Sequence, residues 1–275
     1  ILRAMPLSSS ETGRRRPHSC EHCGGTSRTR RSEIRRVTAA APCLPESTSP
    51  AHSSIAVRRI RSRDWSQSWK ARFHAQRVSP RVVIKPSWES YRPGRGDCVI
   101  ELDPGMSFGT GQHGTTRACL RFIDRLAGRA PGSFLDVGCG SGILAIAAAR
   151  LGCRPVVAFD NDPVAVHVAK GNARGNDVLR HIRFFERHLG TAMLPRPFDV
   201  VAANLLSSTI RQHAVRLARF VAPGGHLILS GLLSREYASI RGLFSRMGFS
   251  EERHLTDRGW TSGVFTKAAP AGSKA

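Results

Sequence analysis

"SFLDVGCGSGILAIAAARLG", Ser133 to Gly152, is the stretch on which the reading of this chain turns. "SFLDVG" is an almost wholly apolar run and reads as a strand buried on both faces. "GILAIAAARLG" reads as a helix that ends at Gly152. Between them Gly138, Gly140 and Gly142 stand at Gly-x-Gly-x-Gly spacing. Glycines there let the backbone turn tightly and come close to a ligand, and the helix amino terminus adds free N–H groups. The dinucleotide fingerprint would need its third glycine at 143, where Ile143 sits.

Downstream, strand and helix patterns alternate. "PVVAFD" is a strand, followed by the helix "DPVAVHVAKGNARGN" with Pro163 in its first turn. "IRFFER" and "FDVVAANLL" are strands. The helix "STIRQHAVRLARFVAPGG", the strand "HLILSGLL" and the helix "REYASIRGLFSRMG" follow. "FSEERHLT" and "WTSGVFTKA" close the chain as a hairpin-like pair. This order predicts an α/β fold: a Rossmann-like, doubly wound, seven-stranded sheet, mostly parallel with an antiparallel edge strand. The strand after the glycine loop ends at Asp160, placed to accept hydrogen bonds from a ribose diol. Asp162 is the alternative for that role, but Pro163 after it favours a helix cap.

Upstream lies a second glycine-rich stretch, "DPGMSFGTGQHGTTRACL", Asp103 to Leu120. It leads into a helix, "TTRACLRFIDRLAG", whose face of Leu120, Ile123, Leu126 and Ala127 is apolar and which Gly128 is expected to stop. "RVVIKP" and "DCVIELDP" are short strands. Order is expected to begin near Asp64, with Trp65, Trp69 and Phe73 at helical spacing.

Composition sets the outer bounds. The net charge is +22, and residues 1–63 contribute 13 basic against 4 acidic side chains. Such a charge suits acidic partners, RNA or a ribosomal surface, and equally an arginine-rich genome. Residues 1–60 are rich in Arg, Ser, Thr and Pro, keep no period and are expected to be disordered. The first residue is Ile1, so residues 1–60 are expected to be a fragment or the translation of sequence upstream of the true start. There is no run of 18 apolar residues and no signal-like apolar stretch, so a soluble cytoplasmic protein is expected. Seven cysteines at irregular spacing fit a reducing compartment. Cys20 and Cys23, with Cys43, lack a fourth ligand at a known zinc spacing, so no metal is expected.

Asp136, two residues before Gly138, completes acid-x-Gly-x-Gly-x-Gly. That pattern resembles motif I of class I S-adenosylmethionine-dependent methyltransferases. With "DPGMSFGTGQHGTT", "FDNDPVAVHVAKGNARGN", "FDVVAANLL" and "APGGHLILSGLL" the chain closely resembles the PrmA-type methyltransferases of large-subunit ribosomal protein eleven, over about residues 64–265. The resemblance implies S-adenosylmethionine as cofactor. It also implies transfer of methyl groups to lysine or amino-terminal amines of that ribosomal protein. The cofactor-binding set it implies is Thr116, Asp136, Gly138, Gly140, Gly142, Asp160 and Asn204. It further implies that Asn204 lines the acceptor site, where it is expected to orient the acceptor; His113 is expected to shape the pocket or steer the amine, with a solvated loop histidine as the alternative. The first loop would fold over the cofactor and the second would cradle it. Gly114 stands where the family commonly has proline or another residue, which would loosen the first loop. Residues 1–60 do not resemble the family's amino-terminal recognition domain. The chain is thus parsed as a disordered segment 1–60, a linker and domain remnant 61–102, a methyltransferase domain 103–268 and a tail 269–275. A monomer is expected, with contact to ribosomal RNA through its basic surface. An acceptor other than the ribosomal protein, another protein or a small molecule, is the alternative.

Overall fold

The computed structural model describes residues 73–103 and 111–269. The expected disordered segment, the Trp65–Trp69 helix, the Cys20–Cys23 pair and most of the first glycine loop lie outside them.

A seven-stranded sheet organises the described chain. Its strands are β4 (Phe134–Val137), β5 (Val156–Asp160), β6 (Ile182–Glu186), β7 (Phe198–Asn204), β8 (Val221–Leu233), β9 (Phe249–Asp257) and β10 (Trp260–Lys267). They lie in the order β6-β5-β4-β7-β8-β10-β9. Every pair from β6 to β8 is parallel, and β10 runs antiparallel to both of its neighbours. The reversed strand therefore sits one place in from the edge, with β9 outermost. Their hairpin turns through Arg258 and Gly259, both at positive φ, as a tight right-twisted hairpin needs.

Helices cover both faces. Helix α1 (Gly114–Arg129), α2 (Ile143–Arg150) and α3 (Pro163–Gly175) pack on one, and α4 (Ser207–Gln212), α5 (Ala214–Phe220) and α6 (Ser234–Ser245) on the other. The alternation within a strand shows the division. Val200 and Ala202 of β7 face the first core, and Val201 and Ala203 face the second. Helix α2 is buried along Ile143–Ala149, which explains why its sequence shows no polar stripe.

Three short strands precede the large sheet: β1 (Gln76–Arg77), β2 (Val82–Lys85) and β3 (Cys98–Glu101). They form their own sheet, and Val82, Ile84 and Ile100 join the core under α1 and α2. Arg81 Nε donates to Asp124 of α1 at 2.6 Å, and Glu101 exchanges two backbone hydrogen bonds with the Asn176 side chain.

Two sequence expectations shift. The segment "STIRQHAVRLARFVAPGG" is not one helix. It breaks at His213 into α4 and α5, and Val221 already pairs with Phe198 as the start of β8. The β-branched Val221 and the following Pro223 favour extended backbone, and Gly225 sits so close to the carbonyls of Ala222 and Asp199 that no Cβ would fit. Gly128 does not stop α1, which runs to Arg129. Lacking a Cβ there, it leaves room for the Arg81 guanidinium, 3.1 Å from where that Cβ would stand.

Candidate active site

The strand order reverses between β4 and β7, and in such sheets ligands bind where the carboxyl ends of the strands diverge. A cavity of about 400 Å³ opens there. Gly138 follows β4, Asp160 ends β5, Asn204 ends β7, and Thr116 comes from the first turn of α1; all four line the cavity. Residues scattered over 88 positions of sequence thus meet at one point.

The glycines divide by task. Gly138 and Gly140 line the cavity at positive φ. Gly142, also at positive φ, lies outside the lining, and a Cβ on it would sit 2.9 Å from that of Ala169. Its smallness lets α2 approach α3.

Asp136 is not on the lining either. It is 1% exposed beneath the loop, and its Oδ2 accepts from Ala145 N at 3.0 Å, in the first turn of α2. Burial raises its pKa to about 7, opposed by the Ala145 hydrogen bond and reinforced by the Asp160 charge. Asp160 Oδ2 accepts from Gly140 N at 2.9 Å and Oδ1 from Asp162 N at 3.1 Å, so this carboxylate ties the glycine loop to the next turn while facing the cavity. Asp162 caps α3 through Val164 N, which settles its role as the cap.

Thr116 is buried, and Asn204 Nδ2 donates to its Oγ1 at 3.5 Å. Asn204 Oδ1 is buried without a hydrogen-bond partner among the described residues. A buried carbonyl oxygen left unpaired is costly, and at a cavity it points to a donor supplied by a ligand. His113 caps α1: its Nδ1 accepts from Thr115 N and lies 2.7 Å from Thr115 Oγ1. Its ring meets Trp260 edge-on at 5.3 Å. Gly114 is the first residue of α1, not part of a loose loop. Its Cα packs so closely on Asp257 that a Cβ would lie 3.1 Å from the Asp257 Cβ.

Two further lining residues, Trp260 and Gly231, were not singled out in the sequence. Trp260 reaches the cavity because the Arg258–Gly259 turn places it at the start of β10. Gly231, at positive φ, leaves no room for a Cβ against the Leu205 backbone, and so lets the chain after Asn204 fold in. Leu205 and Leu206 add apolar wall. The hairpin turn was the one visible signal for Trp260; nothing local marked Gly231.

Among the described residues the cavity lining has no lysine or arginine and is mostly apolar, with one carboxylate at Asp160. A pyrophosphate would find no cation among them. Among the described residues no group of three or more His, Cys, Asp or Glu could hold a metal ion, and no helix is long and apolar enough to cross a membrane.

The family model described as "Ribosomal protein L11 methyltransferase (PrmA)" matches residues 30–268. The chain belongs to this family. It is 49% identical over 206 residues to the ribosomal protein L11 methyltransferase of Geobacter sulfurreducens, covering 75% of this chain and 67% of that protein. With the protein of the same name from Pelotomaculum thermopropionicum the identity is 41%, over 85% of this chain and 73% of that one. A third relative, from Geobacter sp. (strain M21), is matched over 64% of its length. The crystal structure of a ribosomal protein L11 methylase from Lactobacillus delbrueckii subsp. bulgaricus superposes with a TM-score of 0.65 at 29% identity, over 71% of this chain and all of that one.

Proposed function

We propose that this chain is an S-adenosylmethionine-dependent methyltransferase that modifies lysine or amino-terminal amines of ribosomal protein L11. The observation that carries the reading is the unpaired, buried Oδ1 of Asn204, set at the cavity that Gly138, Gly140 and Asp160 also line. The cavity fits this cofactor in its chemistry. It has glycine backbone for close approach, Asp160 for a ribose diol, apolar wall, and, among the described residues, no cationic side chain facing a sulfonium. When bound, S-adenosylmethionine supplies an electrophilic methyl group.

The residues around it supply alignment. A lysine amine has an ordinary pKa near about 10.4 and attacks only as the neutral form. A mostly apolar cavity disfavours the ammonium. Asn204 Oδ1 accepts one N–H of the neutral amine and so turns its lone pair toward the methyl carbon. Thr116 holds the Asn204 amide in place through Nδ2. An uncharged acceptor suits this task, because a carboxylate would stabilise the ammonium instead. His113, fixed by its cap and by Trp260, forms the wall past which the amine enters. Holding the reactants in line contributes most of the acceleration, and no general base is needed.

The test is incubation with methyl-labelled S-adenosylmethionine and L11 from a source lacking the modification, read by mass spectrometry. Label on L11 amines is expected. Calorimetric cofactor binding without label on L11, but with label on another protein or a small molecule, would reassign the acceptor.

A further inference from the structure

A second feature leads away from the mouth of this cavity. Trp260 borders both the cavity and a smaller hollow of about 260 Å³ between α1 and β9, which Arg117, Arg121 and Leu255 also line. Arg121 and Leu255 then border a wider cleft of about 840 Å³, bounded by α1, β9 and the turn between β1 and β2. Adjoining hollows share lining residues, Trp260 for the first two and Arg121 and Leu255 for the next two, so they lie in a row from the proposed methyl-transfer site, and the outer two are taken together as a groove.

The groove is strongly basic. Arg81, Arg121, Arg125 and Arg253 line its wide part against a single acid, Asp124. Asp124 is buried and already bound to Arg81. Arg125 reaches Glu252 only at 4.0 Å. Arg121 spends its Nε on the Val78 carbonyl at 2.8 Å, and neither it nor Arg253 has a carboxylate partner among the described residues. In the narrow part Arg117 and Asp257 neutralise each other at 2.8 Å. Exposed guanidiniums gathered on one concave surface repel one another unless an anion fills it. The floor between them is apolar, from Val78 and Leu255, and among the described residues no exposed ring lines the wide part. That favours a polypeptide over nucleic acid, whose single strands need rings to stack on.

We propose that this groove docks an acidic segment of the protein substrate, holding it while an amine of the same chain enters past Trp260. The proposal rests on the protein-acceptor reading above and adds where the acceptor protein binds. Carboxylates pair with Arg121 and Arg253 at the rim, and apolar side chains settle on Leu255.

The experiment is steady-state methylation of L11 by the full chain and by an R121E/R253E variant. The variant's KM for L11 should rise about tenfold while kcat and cofactor affinity stay unchanged. Wild-type KM should climb with added NaCl, and the variant's should not. Poly-L-glutamate should inhibit the wild type competitively against L11 and spare the variant. R253E alone, at a side chain without an ion-pair partner among the described residues, gives the same direction if the double variant fails to fold. An unchanged KM in a folded variant overturns the groove while leaving the methyltransferase reading intact. So does loss of RNA homopolymer binding with L11 kinetics unaltered, which would make the groove an RNA site. Absence of any wild-type methylation of L11 fails the functional reading instead.

Discussion

Asn204, at the end of β7, donates its Nδ2 to Thr116 Oγ1 in α1 across 3.5 Å, and leaves its own Oδ1 buried and unpaired. One side of the amide is anchored and the other lacks a partner among the described residues. Asn204→Asp keeps the shape but offers an anion to the incoming amine. The ammonium is then favoured and its pKa rises. Turnover should fall by about 10²-fold near neutral pH, with the deficit narrowing as pH rises. Thr116→Val removes the anchor but not the acceptor, and should cost less, about tenfold in kcat. A pH–rate profile of both variants checks this; a deficit for Asn204→Asp that is flat with pH would contradict the amine-orienting role.

Asp136 gives a prediction about stability alone. Its carboxyl sits beneath the loop with a pKa of about 7, raised by burial, against about 3.8 when unfolded. For an acid raised in this way the folded state is favoured at low pH. The contribution weakens as pH climbs from about 4 to about 7, at roughly 1.4 kcal/mol per pH unit at most, and is constant above. Asp136→Asn can still accept from Ala145 N but carries no charge. Its melting temperature should stay flat over that range where the wild type declines. Thermal unfolding of both proteins at several pH values decides the matter: parallel curves mean that Asp136 is not the titrating group.

The two glycine roles in the loop are separable. Gly138→Ala puts an L residue at φ +70 with its Cβ 2.6 Å from Leu205 Cδ2, the end of a mobile side chain that lines the cavity. Fold stability should drop by about 1–2 kcal/mol, and cofactor affinity should fall at least as sharply. Gly142→Ala meets the Cβ and backbone of Ala169, which cannot turn away. It should destabilise more while its effect on affinity follows only from folding. Ala169→Gly should recover part of the loss, less about 1 kcal/mol for glycine within a helix. Denaturation and calorimetry on the single and double variants test the split; equal loss of affinity at both positions after correction for unfolding would refute it.

How much of this was legible beforehand follows from what each residue does. Gly138, Asp160 and Asn204 follow or end strands whose apolar runs are plain, and the alternation of strand and helix places those ends together. Asp136 was legible as a motif member but not as a buried cap, because the same carboxylate two residues ahead of the glycine can turn either up to the cavity or under the loop. Gly114 looked like slack in a loop, since the residue that demands its smallness, Asp257, is 143 positions away and belongs to the far hairpin. Trp260 was marked only by its hairpin turn, and its place at the cavity was hidden for the same reason. Local pattern fixes strands and their ends, whereas contacts across the sheet appear only once the strand order is known.

His113 tests whether a cap is also part of the site. Its Nδ1 holds the first turn of α1, and its ring leans on Trp260 at the cavity mouth. Asparagine caps helices about as well as any residue and has no ring, so His113→Asn should stay within about 0.5 kcal/mol of wild-type stability. His113→Ala loses the cap and should cost about 1 kcal/mol. If the ring forms the wall past which the amine enters, both variants should lose activity to a similar extent, about tenfold in kcat/KM for the protein acceptor, although only one of them loses stability. Melting curves and methylation kinetics on the pair separate the roles. Full activity in His113→Asn would reduce His113 to a helix cap and leave Trp260 as the side chain that shapes the entrance.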